Sequence, residues 1–275
     1  MLQGLFGRTI LQVLEEENLQ DFEYTLFASS RSAGKKISFL GKKYEVLELC
    51  DSSFEGGFDY AIFSAGASTA KKFAPIAVRY GCTVIDNSSA FRMEEDVPLV
   101  VPEVNPNDAS LNHGIIANPN CSTIQAVVVL KPLDDEYSIK RIVYATYQSV
   151  SGAGQAGIDD FLASQQGISC SKFPHPIYNN CLPHIDSFLE NGYTKEEMKM
   201  VNETRKILKK PDLPICAICV RVPVLNCHSE AVFVEFEKSC DVDEIKTILS
   251  SSPGIVLQDE PYNNIYPLAR NISRL

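Results

Sequence analysis

No stretch of this 275-residue sequence is apolar for long enough to cross a bilayer. The opening, MLQGLFGRTI, lacks the pattern of a secretory signal. Neither a membrane partner nor export is therefore expected. Low-complexity tracts and internal repeats are missing, and glycine and proline, at 15 each, are not in excess, which excludes fibrous, linker-like and solenoid architectures. Positive charge is in deficit: 25 Lys and Arg stand against 35 Asp and Glu, a formal net charge of −10. Nucleic acids and anionic membranes select for basic patches, so neither is an expected partner, although a local basic pocket for phosphates stays compatible. Histidine is scarce, at four residues.

What is present is an ordinary globular composition, 45% hydrophobic and 22% charged, in a chain long enough for one large domain or two smaller ones. The nine cysteines are odd in number and irregularly spaced; they read as reduced thiols of a cytoplasmic protein, not as a disulfide framework. The first half alternates helix and strand. Gly7–Glu17 carries a helical apolar face, Tyr24–Ala28, Tyr44–Leu49, Tyr60–Ser64 and Thr83–Ile85 read as strands, and Ser68–Arg79 suits a helix. Repeated units of this kind imply a parallel sheet covered on both faces. The second half has longer strands at Ile142–Tyr147, Ile218–Val222 and Ala231–Glu237, with helices at Ser122–Leu130, Gln155–Ser164 and Lys195–Leu208. The pattern is an α/β nucleotide-binding domain over 1–117, followed by an α+β domain over 118–275.

The most informative stretch is Asn118–Gln125, NPNCSTIQ. Pro119 disfavours helix at Asn118, Ser122 and Thr123 suit a helix cap or first turn, and an apolar helix follows. Cys121 then lies at a helix N-terminus, where the dipole and free N–H groups stabilise the thiolate that attacks carbonyls. A buried structural cysteine is the competing reading. His228 directly precedes a strong strand and is the histidine best placed to pair with a nucleophile; His113, His175 and His184 lie in polar or Pro/Asn-rich loops. Cys216 and Cys219 form a CxxC pair, but no second ligand pair stands at zinc-site spacing, so no metal is expected. Arg31 and Ser32, among hydroxyls after a strand, suit a ribose 2′-phosphate or form a solvated basic turn. The small-residue turns at Ser64–Ser68 and Ser149–Gly154 each lead from strand into helix, as phosphate-cradling turns do. Glu196 and Lys199 share a helical face, either as part of a site or as a surface ion pair.

Seven segments, ASSRSAG, DNSSAFRM, VPEVNP, NPNCSTIQ, TYQSVSGAG, EEMKMVNETRKI and RVPVLNCHSEAV, follow one another within a match that runs from about Gly4 to about Tyr266. In this order the chain resembles aspartate-semialdehyde dehydrogenase. The resemblance implies a Rossmann-like NADP-binding domain and a catalytic, dimerising second domain. It also implies the NADPH-dependent conversion of L-aspartyl 4-phosphate to L-aspartate 4-semialdehyde and phosphate, a step towards lysine, threonine and methionine. By motif, Cys121 forms a thioester, His228 accepts and donates the proton and Gln148 orients the acyl group. Arg221 pairs with the α-carboxylate, Glu196 holds the α-amino group, and Arg92 and Lys199 bind the phosphate. Arg31 and Ser32 read the 2′-phosphate, and Ser151 and Gly152 approach the cofactor. A homodimer is implied.

The family's opening strand and first glycine have no counterpart here; Gly4 and Gly7 match the last two glycines of its cofactor turn. At the other end the match dissolves after Pro267. An inactive, shortened homologue with impaired NADPH binding is therefore an alternative expectation. N-acetyl-glutamyl-phosphate reductase is another, since it shares the Cys/His logic.

Overall fold

Alternating helix and strand in the first hundred residues builds one of the two units into which the chain separates: Met1–Pro98 with Ser110–Asn118, and Leu99–Ala109 with Pro119–Leu275. The computed structural model describes residues 4–168 and 171–272.

The first unit begins with α1 (Leu5–Glu16), capped by Gly4. There follow β1 (Leu26–Ala28), β2 (Lys36–Phe39), β3 (Lys42–Glu48), β4 (Tyr60–Phe63), α2 (Ala67–Arg79), β5 (Thr83–Asp86) and β6 (Ile115–Ala117). The strands form two sheets rather than the single parallel sheet expected: β1-β3-β2 and β4-β5-β6. The second is wholly parallel, while β2 pairs antiparallel with β3 through a tight turn. No strand among the described residues joins β1 to β4. β2 was not anticipated: its residues alternate polar and apolar, but a run of four between the turns at Gly34 and Gly41 is a short signal. Each sheet has its own core: Leu11 of α1 packs with Leu26, Phe39 and Val46, and Phe73 and Ala74 of α2 pack with Phe54, Phe63 and Val84.

The second unit contains α3 (Cys121–Tyr137), β7 (Ile139–Gln148), α4 (Gln155–Gln165), α5 (Lys195–Ile207), β8 (Ile215–Arg221), β9 (Ser229–Phe236), α6 (Val242–Ser251) and α7 (Ala269–Ile272). α3 runs seven residues beyond its expected end, through Pro132, because its apolar positions keep meeting the sheet. The three strands are ordered β8-β7-β9, with β8 parallel and β9 antiparallel to β7. Ile142, Tyr144 and Thr146 of β7 and Ala217 and Cys219 of β8 are buried on the face that packs against α3 and α5. The other face carries exposed Tyr147, Ile218 and Phe233.

Register decides where the chemistry falls. Gln148 ends β7 opposite Arg221, which ends β8. Ser229 opens β9 opposite Tyr147. One end of this sheet therefore presents Gln148, Arg221 and, one residue before β9, His228.

Candidate active site

Cys121 is the first residue of α3. The cap is Asn120, not Ser122 or Thr123: its backbone is extended (φ −60°, ψ 144°), and its Oδ1 accepts from the N–H groups of Ser122 at 3.0 Å and Thr123 at 3.4 Å. Capping by the residue directly before it leaves Cys121 exposed at the positive end of a 17-residue helix. Ser122 and Thr123 are buried beneath it.

The Sγ of Cys121 lies 3.1 Å from Nε2 of His228. The other ring nitrogen, Nδ1, accepts from the backbone N–H of Ser149 at 3.0 Å and faces the Ser149 hydroxyl at 3.3 Å. A backbone amide can only donate, so Nδ1 carries no proton and the neutral ring bears its hydrogen on Nε2, toward the sulfur. Burial, then the Arg221 guanidinium, push the His228 pKa down to about 4 against the opposing pull of Glu196. At neutral pH the imidazole is thus an uncharged Nε2–H donor aimed at Cys121. Cys227, at φ 65°, supplies the left-handed turn that swings His228 into place before β9.

Arg221 is buried, and its Nη1 donates to the Ser149 carbonyl at 2.6 Å. Gln148 is buried beside it and donates to Thr146 Oγ1 at 3.2 Å. The Ser149 hydroxyl also meets that of Ser151 at 3.1 Å. Gly152 packs against this group: a Cβ there would lie 2.9 Å from Arg221 Nη1 and 3.1 Å from His228 Cε1. Its near neighbours are therefore the residues assigned to substrate and proton.

Glu196 and Lys199 form the i,i+3 pair that their spacing allows, buried on the glutamate side. Lys199 Nζ stands 2.9 Å from Glu196 Oε2 and 3.1 Å from Asp186 Oδ2, and Glu196 Oε1 accepts from Asn120 Nδ2 at 2.9 Å. Burial raises the Glu196 pKa, but Lys199 and the amide donors outweigh it and the net shift is downward. Burial likewise lowers that of Lys199, and the two carboxylates turn the balance upward. Both groups stay charged at neutral pH.

Cys121, His228, Gln148, Arg221, Glu196, Lys199, Ser151 and Gly152 all belong to the second unit. The other expected site residues belong to the first. Arg92 is buried, with Nε donating to the Asn118 carbonyl at 2.9 Å and Nη2 to that of Asn87 at 3.1 Å. Arg31 is exposed and Ser32 buried in the turn after β1. Gly4 caps α1 without a side chain and Gly7 is buried within it.

The sequence reading placed Ser149 only in a phosphate-cradling turn, not as the residue that ties His228 to Arg221, and missed Asp186, the second partner of Lys199. It also missed Asn120 as the cap, for which the signal was there: Asn is among the best N-cap residues.

Residues 2–111 match the family described as semialdehyde dehydrogenase, NAD binding domain, and residues 130–274 match semialdehyde dehydrogenase, dimerisation domain. The chain is 51% identical to the aspartate-semialdehyde dehydrogenase of Aquifex aeolicus over 96% of its length and 81% of the relative's. The crystal structure of aspartate semialdehyde dehydrogenase II from Vibrio cholerae, complexed with ASA, is 46% identical and superimposes with a TM-score of 0.87, covering 92% of this chain and 78% of that one. That of the Candida albicans enzyme with NADP is 26% identical, with a TM-score of 0.71 over 91% of this chain and 74% of that one. Two domain matches in order and this degree of identity, over a helix-capped cysteine paired with a histidine, place the chain in the aspartate-semialdehyde dehydrogenase family.

Proposed function

We propose that this protein catalyses the NADPH-dependent reduction of L-aspartyl 4-phosphate to L-aspartate 4-semialdehyde with release of phosphate, a step in amino-acid biosynthesis from aspartate. The observation that carries the reading is the 3.1 Å approach of Cys121 Sγ to a His228 ring whose tautomer is set by Ser149.

The thiolate of Cys121 attacks the C4 carbonyl of the acyl phosphate. A C–S bond forms, the C–O bond to phosphate breaks, and phosphate leaves with its electron pair to give a thioester. Nε2–H of His228 stabilises the thiolate before attack and receives it again as a leaving group, so the tautomer favours the donor half of the acid–base role. Gln148, held by Thr146, is assigned to orient the acyl group. Arg221 offers a guanidinium fork to the α-carboxylate, and Glu196 a carboxylate to the α-amino group. Lys199, with Arg92 from the first unit, is assigned to phosphate.

The turn after β1 fits the cofactor's 2′-phosphate in its chemistry, with the exposed Arg31 guanidinium beside the hydroxyl-bearing Ser29, Ser30 and Ser32. Gly4 and Gly7 at the start of α1 suit a close approach to its pyrophosphate, and Ser151 and Gly152 are the candidates in the second unit. NADPH supplies the hydride that reduces the thioester. The exposed apolar face of the β8-β7-β9 sheet suits a homodimer, in keeping with the dimerisation-domain match.

The test runs the reaction backwards, as phosphate-dependent reduction of NADP⁺ by the purified protein with aspartate semialdehyde. Turnover is expected, abolished by Cys121→Ala and nearly unchanged by Cys82→Ala, since Cys82 is buried in the first unit's core. Equal loss in both variants would remove Cys121 as the nucleophile.

A further inference from the structure

One face of α5 does more than present Glu196 and Lys199. Glu196, Met200, Glu203 and Ile207 follow one another at helical spacing and are all buried. Three of them grip the turn that bears the nucleophile. Glu196 Oε1 accepts from the Asn120 side chain at 2.9 Å, Met200 Sδ accepts from Thr123 Oγ1 at 3.6 Å, and Glu203 Oε2 accepts from the Asn120 backbone N–H at 2.6 Å.

Glu203 is 1% exposed. A carboxylate so far from water is costly to bury unless hydrogen-bonded, and this one meets the residue that must lie outside the helix. An N-cap stops α3 one residue before Cys121 only while its own backbone stays extended. Without that acceptor the Asn120 backbone loses its anchor, its cap over the Ser122 and Thr123 N–H groups loosens, and the first turn of α3 is free to fray. The sulfur would then leave His228.

We propose that Glu203 is a positioning residue for the reaction: by accepting the Asn120 N–H it locks the cap that holds Cys121 at the first position of α3 and against His228. The inference rests on the reading of Cys121 as the nucleophile. It also links the substrate-binding assignment on α5 to the nucleophile at the start of α3. Glu196 holds the Asn120 side chain while Glu203 holds its backbone, so α5 ties the residue assigned to the substrate amine to the turn that aims the sulfur.

The test uses the full chain with Glu203→Ala, Glu203→Asp and Glu203→Gln in the phosphate-dependent assay, with folding checked by thermal melting. The alanine and aspartate variants, one lacking the acceptor and one drawing it back by a methylene, should lose about 10- to 100-fold in kcat through misplacement of the nucleophile. Their KM values for semialdehyde, phosphate and NADP⁺ should stay within about threefold, because uniform binding is untouched. The glutamine variant keeps an oxygen acceptor and should recover most of kcat. Hydrogen exchange at the Asn120 amide should quicken with alanine and not with glutamine.

Unchanged kcat in Glu203→Ala and Glu203→Asp, or a Glu203→Gln no better than they are, overturns the proposal. If the alanine variant does not fold, the aspartate and glutamine pair decides alone. If the parent shows no turnover, the activity assignment fails separately. Glu203 is then judged by the rate at which iodoacetamide labels Cys121, expected to be slower with aspartate than with glutamine; equal rates overturn it.

Discussion

At the scale of single residues, the site depends on small groups placed against large ones. Gly152 is the clearest case. Its missing Cβ leaves room for Arg221 Nη1 and His228 Cε1, both of which a methyl group would meet at 3.1 Å or less. The Arg221 tip is tied to the Ser149 carbonyl and the imidazole to the Ser149 N–H, so neither yields without breaking a buried hydrogen bond. Gly152→Ala is therefore expected to lower kcat by about 10- to 100-fold, the usual effect of sub-ångström to ångström misplacement of reacting groups. Thermal stability should change little by comparison. Steady-state kinetics settle the point, and a variant within twofold of the parent would show that the packing has slack.

At the scale of elements, β9 carries a conflict between burial and charge. Glu230 lies two residues beyond His228 and pairs with Thr146 of β7. Both of its carboxylate oxygens are buried without a hydrogen-bond partner. Burial pushes its pKa up to about 8, and the nearby Gln125 side chain offsets this only in part. The sign follows from linkage. From the ordinary 4.5 up to about 8 the folded state holds a proton on Glu230 that the unfolded state has lost. Stability attributable to this group therefore falls as pH rises through that window and levels off above it. Glu230→Gln, which removes the charge and keeps the shape, should raise Tm by several degrees at pH 8 and have almost no effect near pH 4.5. Melting curves at the two pH values test this; an equal shift at both would mean that the carboxyl is not the titrating group.

At the scale of the whole molecule, the second unit covers only one face of its sheet. α3 and α5 bury the side of β7 that carries Tyr144 and Thr146, while Phe233 stays 61%, Ile218 51% and Tyr147 45% exposed on the other. A contiguous apolar sheet face of this kind is an association surface in most proteins that keep one, and an isologous dimer would cover it with its own copy. Phe233→Asp, a charge on the β9 edge strand of that face, should leave the protein monomeric at micromolar concentration in sedimentation velocity where the parent forms the proposed dimer, while melting stays cooperative. A dimer that survives the substitution would move the interface elsewhere.

Much of this was legible in the sequence, and the limit has a physical cause. Local patterns determined the existence and order of most elements: the apolar faces of α1 and α2, the parallel strands β4 and β5, and the turn that opens α3 at Cys121. The same local chemistry singled out Cys121 and His228, and the resemblance brought Gln148, Arg221, Glu196 and Lys199 into the same list. Sequence spacing could not supply what depends on register and on contacts between distant segments. Gln148 stands beside Arg221 only because β7 and β8 pair in parallel in one register, and His228 joins them because β9 returns antiparallel. The tautomer of His228, the closing of Lys199 between Glu196 and Asp186 and the grip of Glu203 on Asn120 were likewise decided by tertiary structure. Hydrogen bonds across 79 and 83 residues leave no trace in local periodicity. The split of the first unit's strands into two sheets has the same origin, since a pattern marks a strand but only its neighbours determine which sheet it joins.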